Sequence, residues 1–158
     1  MKSPENLARR NLWNAGTRVK SAELFYFRGE WASVIRECQE ALDFTFKSLL
    51  HGLGLEITRF QNPGEVFLKE RHRLPSVLTA DWVRVERIVG PSGASGADLS
   101  ASFGGSDFMT FGEESFSAPQ PEGPSIETAQ SALSDARYML ELARTACRHI
   151  HGIQGKSS

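Results

Sequence analysis

The stretch EWASVIRECQEALDFTFKSLLHGLGLE constrains the fold more than any other part of the chain. Trp31, Val34, Ile35, Cys38, Leu42, Thr45, Leu49 and Leu53 recur at about 100° per residue, the repeat of an amphipathic helix with one face on a core. Arg36, Glu40, Asp43 and Lys47 fall on the opposite side. Asp43 and Lys47 form an acid-to-base pair one turn apart, contributing about 0.2–0.5 kcal/mol on an exposed helix. Phe44 interrupts that polar side, and an aromatic there asks for a packing or interface role. Gly52 and Gly54 end the segment.

The flanking sequence repeats the same chemistry. Ser3, Pro4 and Glu5 are an N-cap, a first-turn proline and an acid that complements the helix dipole. Leu12, Ala15, Val19, Ala22 and Tyr26 follow at helical spacing. Gly29 fits a left-handed cap, and so short a link forces an antiparallel helix pair. Asn62 and Pro63 open a third helix that Pro75 interrupts. Thr79 is the expected cap of a fourth segment, ADWVRVERIV, with Trp82, Val85 and Val89 facing inward. Ser125 caps a long last helix whose stripe is Ile126, Ala129, Ala132, Leu133, Ala136, Leu140, Ala143, Cys147 and Ile150, with Gly152 at its end. No segment reads as a strand. The expectation is an all-α fold, an up-and-down bundle of four to five helices, in one domain over 1–158. The second and last helices should pack on each other, burying Trp31, Leu42 and Leu140. Residues 90–124, rich in Gly, Ser and Pro, should form a long flexible loop whose isolated phenylalanines dock in places.

Composition narrows the function classes. A net charge of −1 excludes a strongly basic nucleic-acid footprint over the whole surface, though not a local patch. Cys38 and Cys147 are far apart, inside apolar helical patterns and without a CxxC spacing, as reduced thiols behaving as small hydrophobes would be. No phosphate-binding loop, zinc spacing or pair of Glu-x-x-His motifs is present, so no cofactor and no metal is expected. The N-terminus has no long apolar run, which predicts a cytoplasmic protein without a membrane span.

The stretch AELFYFRGEWASVIRECQEALDFTFKSLLHGLGL resembles the HEPN domain family (higher eukaryotes and prokaryotes nucleotide-binding). The likeness lies in an Ala-Glu helix, a Gly turn, an apolar-aromatic entry, and then Gln39, Ala41, Asp43, Lys47, Leu49 and Leu50. ALSDARYMLELA is similar to the family's Ala-rich last helix, and FGGSDFMTFGEE stands where many members carry an irregular segment. The resemblance implies a homodimeric bundle that interacts with a nucleotide or RNA, in some members within a toxin–antitoxin or defence pair with a nucleotidyltransferase. It would also make Phe44 an interface residue.

Many members are metal-independent RNases using an Arg and a His separated by four to six residues. Histidine supplies a group that titrates near neutrality, and arginine supplies a fixed cation for the charged phosphorane. Arg144 with His149, or with His151, matches that spacing in RTACRHIH and is the candidate catalytic set. The same residues near a helix C-terminus would also cap carbonyls and complement the dipole, a purely structural role. Arg71 and His72 read as a solvated basic turn, and Tyr138 as a packing or interface residue. Three functions therefore stand side by side: a nucleotide- or RNA-interacting bundle, a metal-independent endoribonuclease using Arg144 and His149, and a non-catalytic helical adaptor binding a partner protein.

Overall fold

The computed structural model describes residues 3–90, 93 and 123–155, with side chains as far as Arg148. Every regular element among them is helical: α1 (Pro4–Phe27), α2 (Trp31–Gly52), α3 (Pro63–Lys69), a 3-10 turn (Arg71–Arg73), α4 (Ser76–Thr79), α5 (Trp82–Val89) and α6 (Ile126–Gly155). The segment expected as a flexible loop over 90–124 lies outside the described residues apart from Gly93 and its ends.

Helix starts follow the local chemistry. The Ser3 hydroxyl accepts from the Asn6 amide, Asn62 from Gly64 and Glu65, and Ser125 from Thr128. Gly29 has φ 72°, the left-handed geometry that turns the chain between α1 and α2 without a Cβ penalty. Three local expectations are corrected. Thr79 is the last residue of α4, and Asp81 caps α5 instead, its carboxylate accepting from the Arg84 amide. On α5 the fully buried ridge is Trp82, Val85 and Ile88, with Val89 only half-buried, because three-residue steps follow the contact line of so short a helix. The last helix runs through Gly152 to Gly155, since a helical glycine costs only about 1 kcal/mol relative to alanine.

Cross-helix contacts define the directions of the three long helices. Tyr26 meets Trp31, Arg18 pairs with Glu37, and the Ser48 hydroxyl donates to the Ala8 carbonyl at 2.8 Å, so α1 and α2 are antiparallel. Gln130 donates to Tyr26, Arg137 pairs with Glu23, and Arg144 lies against Gly16, so α1 is antiparallel to α6 as well. α2 and α6 therefore run parallel, and they pack on each other as expected. Leu42 and Leu140 are buried and Trp31 is half-buried.

α2 is the central element, touching α1, α3 and α6. Beyond the expected face it also buries Ala41, Phe46, Ser48 and Leu50. Phe46, Phe67 and Trp82 form a tilted aromatic row with centroids 5.2 and 5.8 Å apart, tying α2 to α3 and α5. Phe44 is half-buried against the core, beside Asn14, Thr17, Arg18 and Ser21 of α1, with the Lys47 ammonium 5.8 Å from its ring centroid.

Candidate functional site

One charged side chain is buried among the described residues: Asp135, 2% exposed. It sits on α6 in the register of Ala132, Ala136 and Met139, where an apolar residue would ordinarily stand. Arg87 of α5 satisfies it with two bonds, Nη2 to Oδ1 at 2.9 Å and Nη1 to Oδ2 at 3.4 Å, the paired geometry a planar guanidinium makes with a carboxylate. Arg84, one turn earlier, places Nη2 at 4.0 Å from the same carboxylate and 3.5 Å from the Ser134 hydroxyl. Its guanidinium lies 3.9 Å from the Tyr138 ring centroid. Two arginines three apart on α5 thus meet an acid and an aromatic three apart on α6, the spacing that puts both pairs on facing ridges.

The electrostatics are unequal. One carboxylate is sealed inside, while both guanidiniums reach the surface, Arg87 more than Arg84. The carboxylate holds two cations in fixed positions and neutralises only one of them. Arg84 Nε is buried without a hydrogen-bond partner, a cost that stacking on Tyr138 offsets. The neighbouring chain extends the basic surface: Arg71 lies 5.1 Å from the Trp82 ring centroid at the start of α5. Between positions 69 and 87 there are five Lys or Arg and three Asp or Glu.

A surface groove of about 410 Å³ adjoins the cluster at Ser134 and is lined by Glu23, Tyr26, Phe27, Gln130, Leu133 and Arg137 as well. Gln130 Nε2 donates to the Tyr26 hydroxyl at 2.8 Å, and Arg137 pairs with Glu23 at 3.3 Å across it.

The thiols show why they contribute no nucleophile at neutral pH. Burial pushes Cys38 up to about 12, the nearby Arg137 only partly opposing it. Burial also raises Cys147, against a lowering hydrogen bond with Ser48. His51 is held below its ordinary value by burial and by Lys47, so it is neutral at pH 7.

Of the candidate catalytic set, only Arg144 has a described side chain. Arg144 is exposed, bonded to Glu141 at 2.6 Å and packed across Gly16. The His149 and His151 side chains lie outside the described residues. Along an α-helix, positions 144 and 149 stand about 140° apart around the axis, whereas 144 and 151 fall within about 20°. Tyr138 does pack, as expected, against the core and also on a guanidinium. The sequence reading missed Arg84, Arg87 and Asp135. A findable signal existed: an aspartate in a core register of α6, and two arginines at i and i+3 on a short amphipathic helix.

The fold and site define a helical protein with a structured cationic and aromatic patch. Comparison with protein-family models, curated proteins and solved structures gives no match. No helix among the described residues is long and apolar enough to cross a membrane, and no group of three or more His, Cys, Asp or Glu among them could hold a metal ion.

Proposed function

We propose that the chain is an up-and-down, HEPN-like helical bundle that binds single-stranded RNA or a nucleotide through phosphate contacts at Arg84 and Arg87. The observation that carries this reading is the pair of guanidiniums fixed on buried Asp135 with Tyr138 beside them. Pre-oriented arginines lose little side-chain freedom when a phosphate arrives, and a surface with one uncompensated cation attracts an anion. Structural clamping of α5 to α6 is part of the same arrangement, since the carboxylate that orients the arginines also joins the helices.

The test is fluorescence anisotropy with a labelled single-stranded RNA across a range of salt concentrations. Arg84→Gln is compared with wild type, and so is the double variant Arg87→Met with Asp135→Leu, which removes the second arginine while leaving no buried charge. Loss of one phosphate contact in each variant should flatten the slope of log K against log salt by about 0.7. A wild-type protein that does not bind, or one whose binding and salt slope are unchanged in both variants, refutes the reading.

A further inference from the structure

The groove between α1 and α6 meets the arginine cluster at one residue, Ser134. At 100° per residue, Gln130 and Arg137 fall on one side of Ser134, where they bond to Tyr26 and Glu23 of α1. Asp135 and Tyr138 fall on the other side, against Arg87 and Arg84 of α5. Ser134 itself lines the groove and lies 3.5 Å from Arg84 Nη2. A nucleotide whose phosphate sits at Arg84 and Arg87 can therefore cross this ridge and lay its base in the groove. The volume there, about 410 Å³, is within the range of about 300–1,000 Å³ usual for small-molecule sites.

We infer that the groove is a guanine-binding subsite, with Glu23 accepting from the base's N1–H and N2–H, Arg137 donating to its O6 and N7, and Phe27 stacking on its ring. Glu23 and Arg137 meet through Oε1 and Nη2 at 3.3 Å, and about half of each side chain is exposed, 41% and 54%. An exposed ion pair of this kind is held weakly, so a ligand that satisfies both partners can take its place. Guanine does so with two edges. Its O6 and N7 are adjacent acceptors, the pattern a guanidinium bonds twice, and its N1–H and N2–H are adjacent donors for a carboxylate. Adenine reverses one member of each pair: its amino group would meet the guanidinium and a bare ring nitrogen the carboxylate. Pyrimidines lack the second polar edge. Phe27 lies at the groove and is 89% exposed, a free ring face of the kind bases stack on. Only the place of the phosphate rests on the proposed role of Arg84 and Arg87; the base contacts belong to residues outside that cluster.

Isothermal titration calorimetry with the 5′-monophosphates of guanosine, inosine and adenosine reads the base preference. The guanosine nucleotide should bind at least about tenfold tighter than the adenosine one, the discrimination of a single two-bond base contact. The inosine nucleotide, which lacks only the N2 amine, should fall between them. Glu23→Gln should abolish the advantage of guanosine over inosine, while Arg84→Gln should weaken all three nucleotides by the same factor. Both side chains reach the surface, and circular dichroism melting confirms that each variant retains the fold. Fluorescence anisotropy of a labelled oligouridine with and without one guanine reads the same preference within a strand. Equal binding of all bases, weakened by Arg84→Gln, overturns the subsite and leaves the phosphate contacts standing. A guanine preference with an affinity that Arg84→Gln does not alter keeps the subsite and refutes the phosphate contacts. A preference absent from both the nucleotides and the strand, or one unchanged in Glu23→Gln, overturns the inference.

Discussion

Asp135 makes a quantitative demand on its neighbours. Arg87→Met removes both bonds to a carboxylate that is 2% exposed, and the chain cannot turn that carboxylate toward water. Breaking a buried ion pair by removing one partner costs about 3–5 kcal/mol. Arg84 remains 4.0 Å away, which places the expected loss at the low end, about 3 kcal/mol, or a fall of about 6–12 °C in Tm for a chain of this size. The reverse deletion should be milder. In Asp135→Leu the freed Arg87, already half-exposed, can move its head into solvent, and about 1 kcal/mol is expected. The double variant Arg87→Met with Asp135→Leu leaves no buried charge and should lie within about 1 kcal/mol of wild type, since well-packed apolar groups can replace such a pair. Guanidinium unfolding followed by far-UV circular dichroism measures all four proteins. A single Arg87→Met loss below 1 kcal/mol refutes the reasoning, and so does a double variant as unstable as the sum of the two singles.

Two further outcomes follow from the backbone and the thiols. Gly29→Ala forces a Cβ into φ 72°, and the nearest atom to that Cβ, in the Trp31 ring at 3.8 Å, leaves room for it. The cost is therefore conformational, about 1–2 kcal/mol, and should show in the same denaturation assay. Cys38 is raised by burial from 9.0 to about 12, so the unfolded chain ionises this thiol before the folded one does. Its stabilising contribution is complete below pH 9 and is lost as pH rises toward 12. Cys38→Ala should show a shallower decline in stability over that window than wild type; equal slopes would refute the assignment.

The parts of this protein legible in the sequence are those decided within a few residues. Ser3, Asn62 and Ser125 cap their helices because a side-chain oxygen reaches an amide two or three positions away. Gly29 turns the chain because only a residue without a Cβ enters that conformation freely. The periodicity of α2 announced a helix and its main buried face, and all described regular structure is helical. Thr79 and Asp81 show the limit of this local reading, because two side chains of similar capping chemistry lay close together and only the conformation of the turn selected between them.

Tertiary structure decided everything that depends on which faces meet. A pattern along one chain reveals the most apolar side of α2, but contact with α1, α3 and α6 buried Phe46 and Leu50 as well and brought Phe44 against α1. The large aromatics left exposed are instead Trp13 and Phe27 on α1 and Phe60 after α2. The pairing of Asp135 with Arg84 and Arg87 joins residues about fifty positions apart. Spacing along a helix repeats every few residues and carries no record of such distant partners; the placement of α5 beside α6 is what brings those charges together. Local hydrogen bonding and side-chain periodicity are short-ranged, so the sequence by itself determined the long helices and the caps at Ser3, Asn62 and Ser125. The burial of one aspartate, and with it the orientation of two arginines, arises only from the packing of whole helices.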